Sequence, residues 1–259
     1  MNTCQSKPDF KHPLEHSLKQ LFLPTVRAYY EEAADQARAN SQTYEMYLFE
    51  LMQREVEARK QNRINRCIRA SKLPLEKNIA TFDRQRLPQN INMQLASLLE
   101  GSFLDRCENL LVFGNPGSGK THILCAIAQE LIYKGKQIKF YTCNLLVQEL
   151  LIAKRDLKLA RKLKQLAKFD ALLIDDIGYV KQSREEMEVL FTLLADRYER
   201  SSIMLTSNLP FSKWEHIFKD PMTTAAAIDR LVHHCIILEL NLDSYRLQQA
   251  QKKNQMTTN

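Results

Sequence analysis

Eight consecutive residues, Gly114-Asn115-Pro116-Gly117-Ser118-Gly119-Lys120-Thr121, have the spacing of a phosphate-binding loop. They fit the pattern G-x-x-x-x-G-K-[ST], whose glycines let the backbone turn sharply and press its N–H groups against phosphate. A helix opening from such a loop adds the positive end of its dipole. Lys120 then reaches the β- and γ-phosphates of ATP, the Thr121 hydroxyl ligates Mg²⁺, and His122 follows at the start of the helix. Such a site also needs a carboxylate on a neighbouring strand. Ala171-Leu172-Leu173-Ile174 runs directly into Asp175-Asp176, so Asp175 serves the metal and Asp176 orients and polarises the attacking water. A second apolar run, Ile203–Thr206, ends in Ser207-Asn208; Asn208 is the candidate that hydrogen-bonds the γ-phosphate and the lytic water. Arg230 and Arg246 are the candidates to neutralise transition-state charge, although spacing alone leaves each of them equally readable as half of a surface ion pair.

These residues need a scaffold that brings strand ends together. From Cys107 onward, short apolar runs at 110–113, 138–142, 171–175, 203–206 and 236–240 alternate with helical patterns. That alternation predicts a five-stranded parallel sheet covered on both faces, with its ligands at the C-terminal strand ends. A strand precedes the phosphate loop and a helix, 121–133, follows it. Upstream, residues 1–72 read as helical: one helix near 12–22, a second begun by Pro24, and a third running from Thr43 to Ser71 without Gly or Pro. Leu73-Pro74 ends it. Residues 75–90 read as an irregular linker and 91–104 as a further helix. The division expected is a helical domain over 1–72, a linker and helix over 73–106, and an ATPase domain over 107–259.

Two helical faces are strongly basic. Arg59, Arg63 and Arg66 share one stripe, with Ile64 and Ile68 roughly opposite. If 152–168 is a single helix, Lys154, Lys158, Arg161 and Lys168 form a ridge, with Arg155 and Lys162 beside it and Ile152, Leu159, Leu163 and Leu166 on the docking side. Both stripes suit a phosphate backbone, and both are equally describable as solvated helix faces. The net charge of +7 favours an anionic partner such as nucleic acid. His233-His234 suggests a metal, but adjacent residues of a helix point apart, so the pair is read as structural; Trp214 is read as packing. No run of 18 apolar residues predicts a membrane span. The polar N-terminus, and six cysteines without a CxxC pair, point to reduced thiols in a cytoplasm.

The same segments resemble the IstB-like proteins, ATPase helpers of transposition, and more broadly the helicase loaders of the DnaC type. The resemblance spans nearly the whole chain. Its narrower signals are Ser207-Asn208-Leu209-Pro210-Phe211 and Arg230-Leu231-Val232-His233-His234, and the ending Ser244-Tyr245-Arg246 also fits. The resemblance implies an AAA+ ATPase that assembles as a homo-oligomer on double-stranded DNA, holds ATP between subunits and activates a transposase. It casts Arg230 as an arginine finger acting in trans, Arg246 as a second sensor, and the basic segment 154–168 as a DNA-facing insertion. The 19 residues after Leu240 are too few for a full C-terminal helical lid. A replicative helicase loader and a small-molecule P-loop kinase are the alternative readings.

Overall fold

The computed structural model describes residues 10–177, 183–215 and 220–245. The chain forms two compact units, Met1–Asn65 and Arg66–Asn259.

The first unit holds helices α1 (Lys11–Gln20), α2 (Pro24–Ala39) and most of α3 (Tyr44–Ser71), which runs on into the second unit. Pro24 opens α2, where a missing N–H costs nothing. Leu18, Val26 and Leu51 form a small core. Such a core leaves the start of α2 to be satisfied by a side chain, and Glu55 does this. Its buried carboxylate accepts the N–H groups of Thr25 (2.8 Å) and Val26 (3.2 Å) and pairs with Arg59 at 2.8 Å. Burial alone would raise this carboxyl, but Arg59 and the two backbone donors outweigh it and hold Glu55 below the usual carboxylate range. A depressed acid contributes stability above its unfolded-state pKa and loses it as pH falls through the folded one.

The second unit is built on a parallel sheet of β1 (Asn109–Gly114), β2 (Ile138–Thr142), β3 (Ala171–Ile177), β4 (Ser202–Ser207) and β5 (Cys235–Leu240), in the order β2-β3-β4-β1-β5. This is the α/β architecture that the strand pattern predicts. Because β1 lies between β4 and β5, the loop that follows it opens beside the ends of both. Residues 110, 112, 173, 204 and 238 belong to one core, shared with α4 (Gln89–Glu100), α5 (Ser102–Asp105) and α6 (Lys120–Tyr133). Residues 111, 172, 174, 203 and 205 belong to the other, beneath α7 (Cys143–Arg155), α8 (Leu159–Leu166), α9 (Arg184–Arg197) and α10 (Pro221–Val232). Cover on both faces explains why β1, β3 and β4 are apolar runs without alternation, whereas β5, at the edge, leaves Ile237 and Glu239 exposed. Among the described residues no helix is long and apolar enough to cross a membrane.

Two expected helices are each divided. Gly101, at φ 87°, separates α4 from α5, because a residue in the left-handed region cannot continue a helix. The segment 152–168 is likewise not one helix. Leu157 takes φ 56°; its N–H bonds to Lys154 O and that of Lys158 to Ala153 O, closing α7 with paired Schellman bonds. The basic ridge is therefore a helix–turn–helix edge. Ile152, assigned to the docking side, is 57% exposed, and Leu157 at the turn is 94% exposed.

Arg197, buried at the end of α9, donates to Leu166 O, Phe169 O and Ser202 O at 3.0 Å each. It ties the end of α8 to the lead-in of β3 and the start of β4. Burial pushes its guanidinium down to about 10, still charged at neutral pH. Arg197→Leu strands three buried carbonyls and should lower unfolding stability by about 3 kcal/mol in urea titrations. Glu55→Gln should destabilise the first unit at pH 7 by about 1–2 kcal/mol, with a smaller difference from the parent in acid. An equal loss at both pH values would remove ionised Glu55 from that role.

Candidate nucleotide-binding site

The phosphate loop leaves β1 at Gly114, and Gly119 caps α6 at φ 97°. Gly114 sits at φ 151°, where a Cβ would lie 2.2 Å from Leu240 O; only glycine lets β5 end so close to the loop. Lys120, 8% exposed, folds back and donates to Gly114 O and Asn115 O, both at 2.8 Å. Residues 117–122 line a cleft together with Lys77, Thr81, Phe82, Asp83, Arg86, Leu242 and Tyr245. Ser118 Oγ, on the loop, is buried without a hydrogen-bond partner.

The acidic strand meets the loop through one hydroxyl. Strands β3 and β4 pair in register to Ile174↔Leu205, and pairing resumes at Ile177↔Ser207. Asp175 and Asp176 thus oppose Thr206 alone, which is a β-bulge. Thr206 Oγ1 fills it, donating to Asp175 Oδ1 at 2.7 Å and accepting the Asp176 N–H at 2.7 Å. Asp176 takes φ 67°, a strained conformation for a non-glycine residue. Thr121 Oγ1 also donates to Asp175 Oδ1, at 2.7 Å. Thr121 and Asp175 are a pair of hard oxygen donors at hydrogen-bond distance, and they suit Mg²⁺. Asn208 follows β4, and its Oδ1 is buried without a partner. An orphaned acceptor beside the loop fits a water or ligand donor. Cys125, on the buried side of α6, is no rival nucleophile, since burial pushes its thiol up to about 12.

Several cleft residues escape sequence reading. The segment expected as a linker packs onto the loop: Gln129 donates to Pro74 O and Lys77 O, and His122 Nε2 lies 3.1 Å from both Thr81 Oγ1 and Asn78 O. Phe82 meets the His122 ring edge-on at 5.1 Å. After β5, Tyr245 N–H bonds to Gly117 O, and Arg86 stacks over the Tyr245 ring at 5.1 Å. The polar turn residues Asn78 and Thr81 are a loop signal, but nothing local marks that loop as a cleft wall.

Over 90% of the chain aligns with proteins of insertion sequences. It is 39% identical to an insertion-sequence ATP-binding protein of Sinorhizobium fredii over 90% of this chain and 78% of that one. It is 37% identical to the ATP-binding protein of insertion sequence IS5376 from Geobacillus stearothermophilus, over 92% and 95%. The family model described as IstB-like ATP binding protein matches residues 16–253. The chain belongs to the IstB-like family. Its fold is the AAA+ fold of the DnaI structure (TM-score 0.55, 22% identity, 66% of this chain and 95% of that one) and of AMPPCP-bound DnaA from Aquifex aeolicus (TM-score 0.53, 18% identity, 71% and 56%).

Arg230 and the basic residues of the α7–α8 edge do not line this IstB-like cleft. Arg230 sits on α10, in the layer across the sheet from α6; it donates to Ala226 O and stacks over the Phe191 ring at 4.8 Å. Arg246 lies outside the described residues. On α3, Arg63 and Arg66 are exposed, whereas Arg59 is held by Glu55 and by Phe22 O. On the α7–α8 edge, Arg155, Lys158 and Arg161 are exposed. Lys154 pairs with Glu188 at 3.0 Å, and Lys162 turns inward onto Glu149 at 2.5 Å. Trp214 is fully buried and donates to Leu209 O, a packing role.

Thr206→Val keeps the volume of the side chain and removes the hydroxyl, leaving the Asp176 N–H unsatisfied. It should cost about 1–3 kcal/mol of unfolding free energy, and Thr206→Ser should recover most of it. Equal losses for Val and Ser would assign the effect to packing instead.

Proposed function

We propose that this chain is a magnesium-dependent ATPase that assembles with itself on double-stranded DNA and activates a partner transposase. The observation that carries the reading is the convergence of Lys120, Thr121, Asp175, Thr206 and Asn208 at the ends of three adjacent strands, in a chain whose relatives are ATP-binding proteins of insertion sequences.

The roles follow from the chemistry. Amides at the start of α6 and the ammonium of Lys120, held beside them by Gly114 O and Asn115 O, bind the β- and γ-phosphates. Thr121 and Asp175 would hold the magnesium ion, which would supply positive charge against the phosphates. Asp176, one residue past the metal ligand and aimed by the bulge, positions the attacking water. Asn208 accepts from that water through its orphaned oxygen. Phe82, His122 and Tyr245 border the side of the cleft left for the base and sugar.

Arg230 stands in the layer opposite α6 and does not line its own chain's cleft. A finger in that position serves a neighbouring copy, which supports ATP at a subunit interface. The exposed cations Arg155 and Arg161, with Arg63 and Arg66, form the surfaces proposed for duplex DNA. Lys154, Lys158 and Lys162 already have carboxylate partners and are weaker candidates.

ATP turnover with and without duplex DNA, together with particle size in each nucleotide state, tests the reading. Turnover should rise with DNA, and particles should grow with ATP and DNA. A monomer indifferent to both overturns it. Lys120→Ala should abolish nucleotide binding, whereas Asp176→Asn should retain binding and lose turnover by at least about 100-fold. Arg155→Glu with Arg161→Glu should weaken DNA binding and flatten its salt dependence by about two phosphate contacts, with nucleotide affinity unchanged. An unaltered salt slope would remove the α7–α8 edge from the DNA site.

A further inference from the structure

The paired histidines do not behave as neighbours on a helix. Helix α10 ends at Val232, so His233 and His234 lie where the chain turns into β5, and their rings stand 4.1 Å apart between centroids. Glu199 reaches them from the turn after α9, and one ligand atom from each of the three residues lies within 4.8 Å of the others. We propose that Glu199, His233 and His234 form a binding site for a divalent transition-metal ion of the zinc class.

Four observations support the assignment. Two imidazoles and one carboxylate are the donor set that borderline ions select over magnesium or calcium. Tetrahedral ligands at 2.0–2.2 Å from an ion stand about 3.4 Å apart, and Glu199, 57% exposed, has the side-chain freedom to close the remaining distance. The Tyr198 hydroxyl lies 2.9 Å from His233 Nδ1, which Glu199 Oε1 also approaches at 3.9 Å; with Nδ1 held by that hydroxyl as an outer partner, Nε2 is the nitrogen left for the ion. Finally, α9 and α10 both end here, and the negative ends of two helix dipoles favour a cation.

The charged neighbours are mixed. Glu108 acts on His234 from one side and is itself paired with Arg106, while Arg200 turns to Asp196. All three ligands are exposed, so the site loads from solvent and leaves coordination positions for water. A bound ion would tie the end of α10, three residues beyond Arg230, to the end of α9, whose Phe191 carries the Arg230 guanidinium. The site thus sits where an ion can stiffen the presentation of that arginine. This inference does not depend on DNA binding or ATP turnover.

The test is Co²⁺ titration of the untagged, chelator-stripped full chain, read by visible absorption. It is run in a His12→Ala/His16→Ala background, because those exposed residues one helical turn apart on α1 could hold a second ion. The expected result is one saturable equivalent with nitrogen/oxygen ligand-field bands, displaced by Zn²⁺. It should be lost in His234→Ala and weakened about tenfold or more in Tyr198→Phe. Glu199→Gln, an exposed and conservative change, should weaken it at least as much and covers the case in which the histidine variant does not fold. Metal should also slow amide exchange across the last turn of α10. Three results would each overturn the site: no saturable binding, a thiolate charge-transfer band, or full-strength binding in both His234→Ala and Glu199→Gln.

Discussion

One hydroxyl organises the edge of the sheet beside the phosphate loop. Thr206 Oγ1 sits in the bulge between β3 and β4 and uses both its capacities there, donating to Asp175 and accepting from the Asp176 backbone. Without it, the extra residue of β3 would leave an unpaired N–H beside two carboxylates. With it, the acidic pair is divided: Asp175 faces the Thr121 hydroxyl across the strand ends, and Asp176 is turned into the left-handed region. The bulge therefore separates two adjacent carboxylates that a regular strand would simply point to opposite faces.

The rest of the fold serves this edge from a distance. Arg197 fixes the opposite ends of β3 and β4 through the carbonyls it collects, and so holds the two strands whose other ends form the bulge. The flanks of the phosphate loop come from segments far apart in sequence, 77–86 before the core and 242–245 after β5. Gly114 and Gly117 have no room for a side chain because Leu240 and Ser244 press on them. Their small size admits the chain that walls the cleft, in addition to any approach to phosphate.

Legibility in the sequence follows the range of the interactions involved. All five strands were readable as apolar runs, most plainly β1, β3 and β4, which are buried on both faces. The phosphate loop was readable because its demands on φ and charge are local. The long helix α3 was readable from its lack of breakers. The break at Leu157 was not, since leucine is an unfavourable residue for a left-handed cap and only the tertiary fold imposes it. Nor was the bulge legible: Asp175-Asp176 reads as a strand end, and only pairing with β4 reveals the extra residue. Phe82 and Tyr245 were invisible as cleft residues for the same reason. The expectation that His233 and His234 diverge on a helix missed the end of α10, where His233 is the C-cap and the two rings stand 4.1 Å apart.

Lys120 already has two acceptors within its own loop. The ammonium has three donors, and the two carbonyls engage two of them and hold it at its own loop. The charge of the loop is thus positioned by the fold itself, and an anion meets a lysine that is already placed.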